Sequence, residues 1–437
     1  MSIGTISHIF VPNDSERLFT YNIVMSESKT ILHMDGDAFF VGVEVAKNPK
    51  LRGLPVVTGQ ERGIVSALSY EAKALGVTRG LPIFQLKKLF PKVIILPGDY
   101  ASYIRYSQSM FDIVRRYADD VEEYSIDECF ADLTGCDRPL KMSYLQIAQR
   151  IKNEIKGELD LSVSIGLAPT KVLSKIASKW IKPNGLTVIT HSGIENFLKD
   201  VPVGKVWGIG RNTSEFLIKR EIKTALDFYL KDLDWVKENL AKPYEIIWYE
   251  LHGQMVNKVD PKPKLKYSSI QKTRSFHPAS KDEIFLFSQL SKHIEDACAK
   301  ARHFNLLTKK VSIFLKSRGF EYFTYSFDLT NPTNAPEIII SLSKKYFNKI
   351  YNKQILYRTA GVRLYELISN EIQQKDLFGN NIRLDKFELI HRHIDNMERK
   401  YGRRVVYLAS THNAIKYKDE KLEGTDAEDL DRDLLFL

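Results

Sequence analysis

The sequence predicts an α+β protein of several domains, from its length of 437 residues, a change of character near residue 200 and a basic Pro-Lys stretch near residue 260. One compact core rarely grows that large, so two to four domains are expected. Before residue 200, short strand-like runs interleave with stretches of helical period. Asp260-Pro261-Lys262-Pro263-Lys264-Leu265-Lys266 then reads as a stiff, basic tether.

The chain is organised around Ile31-Leu32-His33-Met34-Asp35-Gly36-Asp37-Ala38-Phe39-Phe40. Strand side chains alternate, so Asp35 and Asp37 share a face and converge. Carboxylates that close repel unless a cation sits between them, and hard divalent ions take oxygen ligands. A strand turning into a loop also favours Asp. A second acidic site must decide, and it comes at Glu122-Glu123-Tyr124-Ser125-Ile126-Asp127-Glu128-Cys129-Phe130-Ala131-Asp132. There strand-like residues flank Asp127-Glu128 as if two antiparallel strands met, although that pair is not one that primed hairpin turns favour. Acids from two distant segments suit a two-metal phosphoryl-transfer centre, with cations about 3.5–4 Å apart. Asp35, Asp127 and Glu128 are the candidates.

His33-Met34-Asp35-Gly36-Asp37-Ala38-Phe39-Phe40 with Val43-Glu44, then Tyr124-Ser125-Ile126-Asp127-Glu128, then Lys182-Pro183-Asn184-Gly185, resemble in order and spacing the signature blocks of Y-family translesion DNA polymerases. The similarity runs from about residue 30 to about residue 410. The resemblance implies a right-hand polymerase: palm at 30–38 and 104–189, small fingers at 39–103, helical thumb at 190–258, linker at 259–266 and α+β little finger at 267–370. A weakly structured leader, 1–29, and a C-terminal region, 371–437, flank these. It also implies template-directed, low-fidelity addition of deoxynucleotides to a primer 3′ end. Two Mg²⁺ would serve it, with Mn²⁺ able to substitute, held by the side chains of Asp35, Asp127 and Glu128 and the carbonyl of Gly36. Phe40 would be the steric gate against ribose; Phe39, Tyr70, Lys73 and Lys182 would hold the triphosphate. The sequence departs from the commoner family pattern at Ala67 (usually Thr), Ser69 (usually Asn) and Lys73 (usually Arg). Lys keeps the charge but loses the bidentate fork. The run Glu71–Gly76 is closer to the catalytic subunit of bacterial polymerase V than to polymerase IV, so the branch stays open.

Taken in order, residues 1–29 show no sustained period. A helix is expected from Ala38 to Asn48-Pro49, then a strand at Leu54–Val57. Gly63–Val77 reads as a short strand turning into a helix that ends at Gly76, with Tyr70 and Lys73 on one helix face. Ser143 caps a helix through Lys156, Leu161–Leu167 alternates as a strand, and Pro169-Thr170 opens the helix of Lys171, Lys175 and Lys179. Val206-Trp207-Gly208-Ile209-Gly210-Arg211-Asn212-Thr213 has the form of a helix-hairpin-helix turn, whose glycines let backbone N–H groups approach a phosphate. Gly208, Gly210 and Arg211 are therefore expected on DNA, joined by Lys272 and Arg274. Beyond the tether, strands are expected at Val311–Leu315, Tyr322–Phe327 and Ile355–Leu364, with helices at 282–304, 334–349 and 384–400. Gln374, Leu377 and Phe378 look like the pentapeptide that bacterial polymerases insert into the β sliding clamp; an exposed apolar pair outside a core usually docks elsewhere.

The net charge of +10 is uneven. Residues 261–370 hold 19 Lys or Arg against 8 Asp or Glu, while 419–433 hold 8 acids against 2 bases. A regional cationic excess is the footprint of a phosphate-tracking surface, although charge runs are usually just solvated. The expected partners are primer-template DNA, dNTP and the β clamp, without a membrane, for a monomer. A leader with three acids, Asp14, Glu16 and Glu27, resembles no targeting peptide, and no apolar run approaches ~20 residues, so a cytoplasmic location is expected. Three cysteines suggest neither disulfides nor a metal site. A two-metal nuclease shares the carboxylates but has no use for Tyr70, Lys73 and Lys182. A non-catalytic DNA- or clamp-binding protein leaves the acids as an unexplained electrostatic cost.

Overall fold

The computed structural model describes residues 29–262, 267–370, 380–401 and 404–419. Residues 1–28, the candidate clamp residues Gln374, Leu377 and Phe378, and the tail beyond 419 lie outside them. The chain divides into two compact units on either side of residues 263 and 264, inside the expected tether.

The first unit begins with β1 (Ile31–Gly36), α1 (Phe39–Lys47), β2 (Val56–Thr58), β3 (Ala67–Leu68), α2 (Tyr70–Ala74), α3 (Ile83–Leu89) and β4 (Ile94–Leu96). It continues with α4 (Tyr100–Arg115), β5 (Val121–Glu123), β6 (Glu128–Asp132), α5 (Asp137–Leu140), α6 (Tyr144–Leu159), β7 (Val163–Ala168), α7 (Lys171–Trp180) and β8 (Leu186–Val188). Five short helices follow: α8 (Ile194–Leu198), α9 (Arg211–Ile218), α10 (Ala225–Tyr229), α11 (Leu233–Asn239) and α12 (Lys242–Leu251).

Among the described residues β1 lies at the centre of a five-stranded sheet ordered β5-β6-β1-β7-β8. Leu32 and Met34 on one face of β1 join Cys129, Ala131, Phe111, Met110 and Ile151 in the largest core cluster, under α4 and α6. The other face carries Ile31, His33 and Asp35 and is covered by α7. Gly166 permits that cover: a Cβ there would lie 2.2 Å from the Ser174 carbonyl and 2.3 Å from the Ser178 nitrogen. Helices on both faces bury β7 throughout, Ser164 included. The α6 N-terminus is a capping box between Ser143 and Gln146, and the helix runs three residues past Lys156. Glu250 on α12, fully buried, accepts from the Val172 N–H at 3.0 Å and the Asn257 N–H at 2.8 Å, fixing the start of α7. The three-stranded sheet β3-β2-β4 packs with α2 and α3 around its own small core.

The second unit comprises β9 (Ser269–Ser280), α13 (Glu283–His303), β10 (Leu306–Ser317), β11 (Tyr322–Thr333), α14 (Pro336–Tyr346), β12 (Tyr357–Ser369), α15 (Asn380–Tyr401) and α16 (His412–Asp419). Its antiparallel sheet is ordered β11-β10-β12-β9. One face packs on α13 and α14 through Ile270, Val311, Ile313, Val362 and Leu364 against Leu290, Ile294 and Ile339. The edge strand β9 was not among the expected strands. Its polar sequence, Ser269-Ile270-Gln271-Lys272-Thr273-Arg274-Ser275, lacks the apolar alternation by which strands are read. Beyond β12, the C-terminal residues are held to α13 and α14 by the ion pairs of Arg302 with Asp395 and Arg404 with Asp296, both at 2.7 Å, and by a hydrogen bond between His391 and Glu337 at 2.7 Å.

Candidate active site

The register of β1 against its neighbours builds the site. Asp35 pairs directly with Glu128 on β6 and with Ser164 on β7. Directly opposed residues of an antiparallel pair present their side chains to the same face about 4.5–5.5 Å apart, so backbone pairing alone brings acids 93 positions apart in sequence into contact. Asp127 occupies the turn before β6. Its carbonyl accepts from the Gly36 N–H at 2.8 Å, and its Oδ1 accepts from the Ser125 hydroxyl at 2.7 Å.

Burial sets the electrostatics. The Asp35 carboxyl is pushed up to about 7 by desolvation, with Glu128 adding to the rise and Lys182 opposing it. Asp127 is raised by burial and by the neighbouring Glu128 charge. For Glu128, burial is outweighed by hydrogen bonds from Asp35 and Lys175, and its carboxyl is lowered. His33, two residues before Asp35, is fully buried, donates or accepts at Ser178 Oγ (2.7 Å), and is kept neutral by desolvation and by the lysines around it.

Asp37 does converge with Asp35, but its oxygens are already used. It accepts from Ser162 Oγ at 2.7 Å, Ser164 Oγ at 2.8 Å and the Asn184 N–H at 2.8 Å. It anchors the turn that carries Lys182. The Lys182 ammonium reaches back to pair with Asp35 and lies 3.8 Å from Asp37. Tyr70 also faces this group: burial and the charges of Asp37 and Asp35 push its phenol pKa up. Ser69 caps α2 through the Ala72 N–H at 3.1 Å, and Lys73 is exposed, 6.0 Å from the Tyr70 ring centre. Phe39 opens α1. Its side chain is 3 % exposed and belongs to the core, so what it can offer a phosphate is its backbone N–H in the first turn of α1, where helix N–H groups lack intrahelical partners. Phe40 is half-buried and stacks on Tyr103 at 4.4 Å and 10°.

Two residues with evident roles carried no assignment in the sequence reading. Lys175 holds Glu128 Oε2 at 2.7 Å, and Lys171 holds Glu122 Oε2 at 2.6 Å; both lysines are nearly inaccessible. Their i, i+4 spacing puts them on one face of α7, which becomes a signal only once that face is known to lie on the sheet.

The donors fit a divalent cation: hard oxygens, two of them on carboxyls whose burial leaves them poorly compensated. As they stand around Lys182, no three acidic, histidine or cysteine side chains among the described residues form a ready ligand set. Lys182 has to leave Asp35 before a cation can take its place.

The candidate DNA contacts fall elsewhere. Gly208 has φ +94°, and a Cβ there would meet Ile247 at 2.7 Å; Gly210 caps α9, whose first residue, Arg211, is exposed. Lys272 and Arg274 differ from the expectation of an open surface. They stand opposite the buried Val362 and Ala360, on the helix-covered side of the edge strand. The uncovered face instead presents Lys310, Lys316 and Arg363. All three cysteines are free thiols, and burial pushes Cys298 up to about 12. No helix among the described residues is long and apolar enough to cross a membrane.

Comparison with known proteins agrees with this geometry. Residues 34–179 match the impB/mucB/samB family, and residues 267–377 match the C-terminal domain of that family. DNA polymerase IV 1 of Bacillus subtilis (strain 168) is 31% identical over 405 residues, covering 91% of this chain and 96% of that protein. DNA polymerase IV of Desulfatibacillum aliphaticivorans is 31% identical over 382 residues, covering 85% of this chain and 94% of its own. Among solved structures, the Y-family DNA polymerase chimera Dbh-Dpo4(243-245)-Dbh superposes with a TM-score of 0.66 at 23% identity, covering 78% of this chain and 100% of the other. A register that joins Asp35 to Glu128, two domain matches in order and these relatives point the same way: the chain belongs to the impB/mucB/samB family and is a Y-family translesion DNA polymerase of the polymerase IV type.

Proposed function

We propose that this polymerase extends a primer 3′ end with Asp35, Asp127, Glu128 and the Gly36 carbonyl holding two Mg²⁺, for which Mn²⁺ can substitute. The observation that carries the reading is the cross-strand pairing of Asp35 with Glu128 beside the turn of Asp127. When bound, such ions supply Lewis acidity that lowers the pKa of the primer hydroxyl and neutralises the leaving group.

The remaining work falls to the chain. Lys175 keeps the Glu128 carboxylate charged and oriented. Lys182, released from Asp35, turns to the triphosphate, where Lys73, the Tyr70 hydroxyl and the Phe39 N–H complete a set of donors. Phe40, backed by Tyr103, presents its ring to the sugar. Palm, fingers, thumb and little finger take the boundaries given above, with Gly208, Gly210 and Arg211 gripping backbone phosphate. Lys272 and Arg274 reach DNA only by extending past the edge of β9. Gln374, Leu377 and Phe378 dock in a β sliding clamp, and the enzyme works in the cytoplasm as a monomer.

Primer extension on a primed template with Mg²⁺ and dNTPs tests this. Lengthened primers are expected. Shortened strands would indicate a nuclease, and DNA binding without turnover a non-catalytic protein.

A further inference from the structure

Trp207 immediately precedes Gly208 of the glycine turn, yet its ring lies against the catalytic strands. The indole N–H donates to the Tyr124 hydroxyl at 2.9 Å, with the two rings edge-on at 5.3 Å and 86°. Tyr124 opens the turn that holds Asp127, and its own N–H donates to the Glu128 carbonyl at 3.0 Å. The ammonium of Lys175, which holds the Glu128 carboxylate, sits 4.1 Å from the Tyr124 ring centre and 5.4 Å from that of Trp207. One indole therefore touches the backbone-side and the side-chain-side supports of Glu128. Packing would account for an aromatic ring here, since Ile31, Phe130 and Val259 share the cluster. It does not account for an N–H aimed at a hydroxyl, nor for two buried cations against the ring face.

We propose that Trp207 is a positioning residue that couples the DNA-gripping turn to the catalytic turn. When Gly208 to Arg211 engage backbone phosphate, the indole fixes Tyr124 and Lys175 and thereby the Glu128 carboxylate. The proposal rests on the reading of Glu128 as a metal ligand and of the glycine turn as a DNA grip.

Trp207→Phe keeps a ring and removes the donor, and Tyr124→Phe removes the acceptor. Single-turnover incorporation on primer-template DNA, normalised to burst amplitude so that misfolded enzyme does not count, is measured for both variants and for the double variant. Each single change is expected to slow incorporation about three- to ten-fold, as loss of one hydrogen bond would, with DNA affinity changed less than about two-fold and the Mg²⁺ half-saturation raised. The double variant should be no slower than the slower single one, because both changes break the same bond. Multiplying effects, or a loss confined to DNA affinity, would overturn the coupling. Glu128→Gln serves as the separate control: full activity in that variant would remove the metal role of Glu128, whatever the Trp207 cycle gives.

Discussion

Phe40 lies five positions after Asp35, on the first turn of the helix that β1 runs into. Its stack on Tyr103 and edge contact with Tyr100 at 5.9 Å keep the ring from turning aside. A deoxyribose can pack on such a ring. A 2′-hydroxyl would meet carbon and lose its water, a penalty of roughly 2–4 kcal/mol. Phe40→Ala should therefore admit ribonucleotides while retaining deoxynucleotide synthesis, read by single-nucleotide incorporation with matched rNTP and dNTP. Phe39→Ala should instead cost about 3–5 kcal/mol of stability, as core aromatics do, read from the denaturation midpoint. Equal discrimination by Phe40→Ala and its parent would dismiss the gate. Asp35 supports a second expectation at this scale. Its carboxyl is held near 7 and must lose its proton to bind a cation. Mg²⁺ affinity should consequently rise from pH 6 through pH 7 and level off above about pH 8, and isothermal titration at several pH values would show it. A flat profile would mean that Asp35 does not meet the metal.

At the scale of elements, the acids were legible because a strand's period of two and the paired blocks around Asp35 and Asp127 leave few other arrangements. What the spacing alone could not show was which of Asp35 and Asp37 has its oxygens taken up by hydrogen bonds. Asp35 and Asp37 look alike at i, i+2, and the three donors that occupy Asp37 come from Ser162, Ser164 and Asn184, more than a hundred residues away. Lys175 was hidden for a similar reason: a lysine on a helix reads as solvated until the face it occupies is known to lie on the sheet. Gly166 makes that face bury so closely. Gly166→Ala should therefore push α7 off β7, with a cost of at least about 1–3 kcal/mol from overpacking, and move Lys175 away from Glu128. Lowered thermal stability together with lowered incorporation is the expected result. An unchanged rate in the folded variant would show that the α7–Glu128 contact is dispensable.

For the molecule as a whole, the boundary between the two units falls at the Pro-Lys stretch read as a tether, and the basic excess of residues 261–370 lies in the second unit. Which face of β9 the helices cover was not legible, because its polar sequence carries no apolar alternation to mark the buried side. Lys272 and Arg274 fell on the covered side for that reason. Because phosphate contacts dominate affinity, DNA binding should weaken steeply with salt and owe little to the catalytic acids. The most direct test follows from this separation. With Asp127→Ala combined with Glu128→Ala, primer extension and DNA affinity are measured on the same primed template in Mg²⁺. The account predicts that extension is abolished while DNA affinity and its salt dependence stay nearly unchanged; sustained synthesis by the double variant would contradict the assignment of these acids to the metals.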